Sequence, residues 1–313
     1  MTARSLLDRT GTFLGLVLVA LVFGLLVGRQ FFAPGNVELM ARQAAIVCMA
    51  ALGMTVVIAT GGIDLSVGSI IALSTVVIAL ALRAEYSPVM AAIAGVSAAA
   101  ICGVVNGLVI TQLRVVPFIV TLGTMLVVRG AAKGLAEERR IEAPFTWLND
   151  LLRAAPGTLL PAGIWLVVIV ALIVAGILRY TRFGRHVLAV GSNERMARLC
   201  GIAIGRTKVI VYAISAALAG MAGLLQFSKL SVGDPTVAVG LELDVIAAVI
   251  IGGGSLTGGR GTVLGTIIGA AIMTVIQIGC SQKGLPNWVQ QIVTGGIIVV
   301  AVALDRVRSA KSI

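Results

Sequence analysis

Long, uninterrupted apolar tracts dominate this chain, and they leave few folds open to it. Ten of them, at about residues 11–28, 44–60, 66–82, 88–110, 115–130, 160–178, 208–227, 243–256, 262–281 and 288–304, are separated by stretches carrying charges, proline or glycine. A bilayer-spanning helix needs roughly 20 predominantly apolar residues, so ten of them use roughly 200. Little of the 313-residue chain remains for a soluble domain, which excludes a large extramembrane catalytic module. A mean hydropathy of +1.07 and a charged fraction of 12% lie far from the soluble range. The tracts are continuous rather than alternating, which excludes a β-barrel. The 38 glycines suit helices that approach closely in lipid. The fold class is therefore an all-α polytopic membrane protein with about ten transmembrane helices, one domain over 1–313, in which Gly-rich segments form broken-helix or re-entrant elements. The first tract is too long for a removed signal peptide and lacks a small-residue cleavage pattern, so it reads as a retained anchor.

The net charge of +11 does not point to nucleic acid, because aromatics are only 4% and no basic stretch is interleaved with them. Basic loops on the cytoplasmic side of a membrane account for it. Cys48, Cys102, Cys200 and Cys280 are widely spaced, with no CxxC pair, and His186 is the single histidine. A disulfide framework and a histidine metal site are both excluded by that inventory. No cofactor and no catalytic residues are expected.

Ten spans put both termini on one side. With the termini inside, 14 of the 24 Lys and Arg residues fall on inside segments, and seven lie between Arg179 and Lys208. The outside set is accompanied by nine acids, Glu242 and Asp244 among them. The positive-inside rule then gives cytoplasmic termini, a cytoplasmic loop over about 179–208 and periplasmic loops over about 131–158 and 228–243. The first of these outer loops, with Trp147, Pro144 and Pro156, reads as holding an interfacial amphipathic piece.

Three motifs carry the functional reading. In Gly61-Gly62-Ile63-Asp64-Leu65-Ser66-Val67-Gly68-Ser69, glycines break the helix and an ionisable residue sits between two apolar tracts. Two roles stay open for it: Asp64 caps the following helix, with Ser66 and Ser69 satisfying further free amides, or it lines a transport route. Gly252–Gly261 is a second break of similar pattern, and the two together suggest equivalent elements on the same membrane side, as in transporters with duplicated halves. It is not a phosphate loop, since the chain has no Gly-Lys pair. In the third motif, Gly191-Ser192-Asn193-Glu194-Arg195-Met196-Ala197-Arg198-Leu199-Cys200-Gly201, Ser192 or Asn193 can cap a short helix ending at Gly201. Met196, Leu199 and Cys200 fall on one face of that helix. Such a helix either lies on anionic lipid or docks into a groove on a cytoplasmic partner.

Gly-Ile-Asp-Leu-Ser-Val-Gly-Ser at 62–69, Pro-Phe-Ile-Val-Thr-Leu-Gly-Thr at 117–124 and the 191–202 segment together resemble the permease subunits of ribose- and xylose-type ABC sugar importers, over about Asn36 to Leu304. The resemblance implies an inner-membrane subunit that pairs with a second permease copy, identical or different. It also implies cytoplasmic ATP-binding subunits and a periplasmic solute-binding protein as partners. Gly191, Asn193, Ala197 and Gly201 match the family's coupling-helix pattern, which makes Gly191, Asn193, Glu194, Met196, Ala197, Leu199 and Gly201 the expected ATPase-coupling residues. Asp64, Ser66, Asn106, Phe118 and Thr121, with Thr124 and Gln112 beside them, are the polar and motif residues expected along the route. The same polar groups could equally make interhelical contacts. The family also carries autoinducers, nucleosides and branched-chain amino acids, so the cargo stays open. An ion-coupled secondary transporter is the rival class and would rest on Asp64, Glu242 or Asp244.

Overall fold

The computed structural model describes residues 3–153 and 160–310, with side chains over 11–153 and 160–303. Lys311, Pro156 and Thr158, together with the side chains of Arg4, Arg9, Arg306 and Arg308, lie outside the described residues.

The chain folds as an all-α membrane protein. Twelve α-helices are described: α1 (Ala3–Val27), α2 (Pro34–Ala59), α3 (Val67–Arg83), α4 (Pro88–Gln112), α5 (Pro117–Leu135), α6 (Ala162–Tyr180), α7 (Arg182–Ser192), α8 (Glu194–Leu199), α9 (Ile204–Leu230), α10 (Leu241–Ile251), α11 (Val263–Gln282) and α12 (Asn287–Ala310). Prolines 34, 88 and 117 stand at the first turns of α2, α4 and α5, where a missing N–H costs nothing and the fixed φ already suits a helix. Helices α2, α4, α5, α6, α9 and α11 are each long and apolar enough to cross a bilayer, and 11–27, 67–83 and 287–303 are shorter apolar stretches.

Helix α2 is the axis of the molecule. Every residue from Ala45 to Ala59 is buried, as expected of a helix that is apolar all round, and α9, α11, α10 and α6 pack about it. The outer helices keep apolar faces exposed, for example Leu126 on α5 and Leu172 on α6, which suits contact with lipid.

Two findings correct the expectations. The eighth tract, expected over 243–256, is helical only as Leu241–Ile251; eleven residues reach about 16 Å, roughly half of a ~30 Å hydrocarbon core. The segment before it packs along α3 on one side and keeps Thr236 and Val239 exposed on the other. Gly233 packs against Thr75 and Ala79 of α3, and Thr75 Oγ1 lies within hydrogen-bond reach of the backbone of Asp234. Further on, the Ala238 carbonyl and the Glu242 carboxylate occupy the space beside Gly68. Residues 233–242 thus descend alongside α3 into the bundle before α10 begins. Arg129 of α5 fixes this descent, donating from Nη1 to the carbonyls of Pro235 (3.0 Å) and Val237 (2.7 Å).

Between α5 and α6, the described residues hold no amphipathic helix. A two-residue strand β1 (Ile141–Glu142) pairs antiparallel with β2 (Val232–Gly233), in the register Ile141 to Gly233. A 3₁₀ turn, Trp147–Asp150, follows and is capped by Thr146. Ser228 Oγ on α9 donates to the Asn149 carbonyl and accepts from Leu152 N, and Arg140 pairs with Asp234. The 131–153 stretch is tied to 228–234 at this end of the bundle, the hairpin end.

Candidate functional site

The three motifs converge at the opposite end. Residues 60–66 leave the helical register between α2 and α3, and 252–262 do so between α10 and α11. The breaks touch each other directly: Gly259 N donates to the Ala59 carbonyl at the end of α2 (3.0 Å), and Gly258 lies against the backbone of Gly61. The last turn of α7 seals the junction. A Cβ built on Gly191 would stand 1.9 Å from the Ala59 carbonyl and 2.6 Å from Gly259 N, and one on Gly258 would stand 2.6 Å from the Gly191 carbonyl. Only hydrogen at these positions lets three backbones meet, and this is the strongest geometric reason for their glycines. Sequence spacing gave no sign of this contact, because the three glycines come from separate stretches of chain.

From that junction the chain projects a short, capped lever. Thr181 caps α7 through Gly184 N (3.1 Å), and Val187 is fully buried in the main core. Asn193 breaks the helix and caps α8, its Oδ1 accepting from Met196 N at 3.0 Å, as one of the two expected capping residues. Gly201 (φ +81°) ends it, with Gly201 N bonded to the Arg198 carbonyl and Ile202 N to the Ala197 carbonyl, the left-handed C-terminal closure that favours glycine. Glu194 holds the base through Lys208 of α9 (2.7 Å) and Arg198 (3.6 Å). Ala197 faces inward, 4% exposed, in a small cluster with Val190 and Ile204. Met196 (55%) and Leu199 (80%) face outward with Cys200. Ala197 therefore anchors the lever to its own chain, and the outward apolar face belongs to Met196 and Leu199.

Of the residues expected on the transport route, the structure brings together three and places a fourth beside them. Asp64 Oδ1 accepts from Ser66 N (2.9 Å) and Ser66 Oγ (2.5 Å), and Asn106 Nδ2 donates to Ser66 Oγ (3.0 Å). Thr121 Oγ1 lies within reach of the Ile63 and Pro117 carbonyls. All four side chains are buried. Asp64 thus closes a turn just ahead of α3 rather than bonding an amide within it, and Ser66 bonds the carboxylate rather than a free amide. Ser69 Oγ, Asp64 Oδ2, Asn106 Oδ1 and Tyr212 Oη have no hydrogen-bond partner; sequence reasoning missed Tyr212, whose hydroxyl sits against Gly62. Phe118 and Gln112 are exposed and Thr124 is half-buried, and the Phe118 carbonyl lies within reach of Thr121 Oγ1 (3.3 Å). The arrangement is a buried interhelical cluster in which some polar atoms are bonded and others are left without a partner. Because an asparagine can reproduce both bonds that Asp64 Oδ1 accepts, Asp64→Asn is expected to keep most of the uptake rate. Asp64→Ala, which orphans two buried donors at about 1–3 kcal/mol each, should lower the melting temperature in detergent.

The glycine junction, the capped lever and the apolar bundle are those of a transport permease. The chain belongs to the family described as the branched-chain amino acid transport system / permease component, which it matches over residues 36–302. Within that family it is a permease subunit of the ribose-type ABC importers, a multi-pass inner-membrane protein; in this family ATP hydrolysis resides on a separate subunit. It is 38% identical over 293 residues to the ribose import permease protein RbsC of Escherichia coli strain K12, covering 93% of this chain and 91% of that protein. It is likewise 38% identical to RbsC of Bacillus subtilis strain 168 over 305 residues, 97% and 94% of the two chains. The L-arabinose ABC transporter permease protein AraH of Azospirillum brasilense is 36% identical over 281 residues, 89% and 82% of the chains. No solved structure matches.

Proposed function

We propose that this chain is the gate of an ATP-driven importer that moves a monosaccharide across the bacterial inner membrane, with α8 as the element its ATPase grips. The observation that carries the reading is the pairing of an outward Met196/Leu199 face with a rigid root: Ala197 seats α8 against Val190 of α7 and Ile204 of α9, Val187 buries α7 in the main core, and Gly191 at the end of α7 meets both helix breaks. A push on α8 is delivered to the α2–α3 and α10–α11 junctions together, which is what coupling to a packed, two-state bundle requires. Gly191, Asn193, Glu194 and Gly201 shape and brace the lever, and Met196 and Leu199 enter the partner's groove.

The α7–α8 end is the cytoplasmic end in this reading, with ten spans and both termini inside. Supporting it, segments assigned to one side by charge meet one another, as 140–142 does with 232–234 and Gly191 with Gly258. A second permease copy completes the membrane portion, and a periplasmic solute-binding protein delivers cargo at the hairpin end. The similarity to ribose and arabinose permeases favours a monosaccharide over an autoinducer, nucleoside or amino acid. In cells, uptake is expected to continue when a protonophore collapses the proton gradient and to stop when ATP is depleted; the reverse pattern would establish the ion-coupled rival.

A further inference from the structure

A cavity of about 650 Å³ opens near the hairpin end, among α2, α9, α10, α11 and α12. Its size lies within the roughly 300–1,000 Å³ of small-molecule sites. It reaches from Lys229 and Asn287, at the ends of α9 and α12, down to Gly240 and Asp244, where the half-length helix α10 begins. Its polar lining includes Gln43, Lys229, Asp244, Gln277, Gln290 and Thr294. Polar groups turned towards hydrocarbon would be costly, yet α12 directs Gln290, Gln291 and Thr294 into this space. The two charged groups are each bonded to an amide rather than to each other: Lys229 Nζ donates to Gln43 Oε1 (2.5 Å) and Gln277 Nε2 donates to Asp244 Oδ2 (2.5 Å).

We propose that this vestibule holds the cargo on its way to the gate, and that its ligand is a neutral polyhydroxylated molecule of monosaccharide size. The inference rests on the importer reading above and adds where the sugar is held. One cation and one carboxylate cancel, so neither an anion nor a cation gains from the site as a whole. Carboxamides, which both donate and accept, match hydroxyl groups that do the same. No aromatic ring is among the lining residues, so the sugar has no stacking platform and leaves readily. A site at the start of a discontinuous helix, part-way across the bundle, is also where transporters of several folds place their substrates.

The test uses the complete transporter, with its ATPase and binding protein, in proteoliposomes, and ribose, arabinose, allose and fructose as probes. Thr294→Cys, in a Cys200→Ser background, should react with a membrane-impermeant thiol reagent applied from the binding-protein side. Leu172→Cys, on the apolar outer face of α6, should not. Gln290→Ala and Thr294→Val should each lower uptake roughly tenfold, the effect of losing one ligand hydrogen bond, while ATP hydrolysis stimulated by the binding protein persists. A Thr294→Cys thiol beyond the reagent's reach, or uptake unchanged in both variants, overturns the vestibule and leaves the importer reading standing. An unmodified transporter that imports no monosaccharide removes both.

Discussion

Replacing Met196 and Leu199 together with glutamate is expected to abolish cargo uptake while leaving the chain folded and inserted. Both side chains project from α8 and neither belongs to a buried cluster, so the substitutions should cost the isolated subunit little. In the assembled transporter the same positions would be pressed into an apolar groove, where two unpaired carboxylates cost several kcal/mol. At about 1.4 kcal/mol per tenfold in affinity, that is a loss of roughly 100-fold or more in ATPase association. The checks are co-purification of the ATPase with the permease and the melting temperature of the permease alone. Normal co-purification would end the docking role of α8. Ala197 is the less suitable probe, because a glutamate there would break the Val190–Ala197–Ile204 cluster and unfold the lever, so lost binding would have two causes.

The second large effect belongs to Gly191. Any side chain there must displace the Ala59 carbonyl or Gly259, since even a Cβ stands 1.9 Å from the former. Overpacking of this kind costs typically about 1–3 kcal/mol, and occasionally more, and here the colliding atoms are backbone with no rotamer to yield. Gly191→Val is expected to lower the melting temperature and to remove most uptake, with α8 still able to bind the ATPase because its capping by Asn193 is untouched. Retained ATPase association with lost transport would separate transmission from docking. Gly191→Val with wild-type uptake would mean that the junction of the three backbones transmits nothing.

Much of the membrane architecture was legible in the sequence because it follows from hydropathy alone. The tracts over 88–110, 160–178 and 262–281 lie within α4, α6 and α11 or within two residues of their ends, since a run of apolar residues bounded by proline or glycine has little else to become in lipid. The lever was legible for a similar local reason: an Asn cap, a Gly stop and helical spacing between them are written within eleven residues. What hydropathy could not reveal is how far a tract stays helical once packing decides. Val245 to Ile250 are as apolar as any span, yet α10 stops at Ile251, where the Gly252 break begins and the chain turns back into α11. The stretch 233–242 looked like a water-facing loop because it carries Asp234, Glu242 and a proline. Asp234 and the carbonyls of Pro235 and Val237 are bonded by Thr75 of α3, Arg129 of α5 and Arg140 just ahead of β1, partners that no local pattern reveals.

The candidate site was read in part. Asp64, Ser66 and Asn106 were singled out as polar groups within apolar surroundings, and they do meet, joined through Ser66 by hydrogen bonds. The vestibule residues Gln277, Gln290 and Thr294 passed unremarked because a lone amide or hydroxyl in an apolar tract signals nothing until five helices bring several together.

The most direct test of the account is net solute accumulation by the purified chain in proteoliposomes, measured alone under an imposed proton or sodium gradient and again with its ATPase, its binding protein and ATP. The account predicts no uphill movement by the chain alone and ATP-dependent accumulation by the assembly. Gradient-driven accumulation by the chain alone would contradict it.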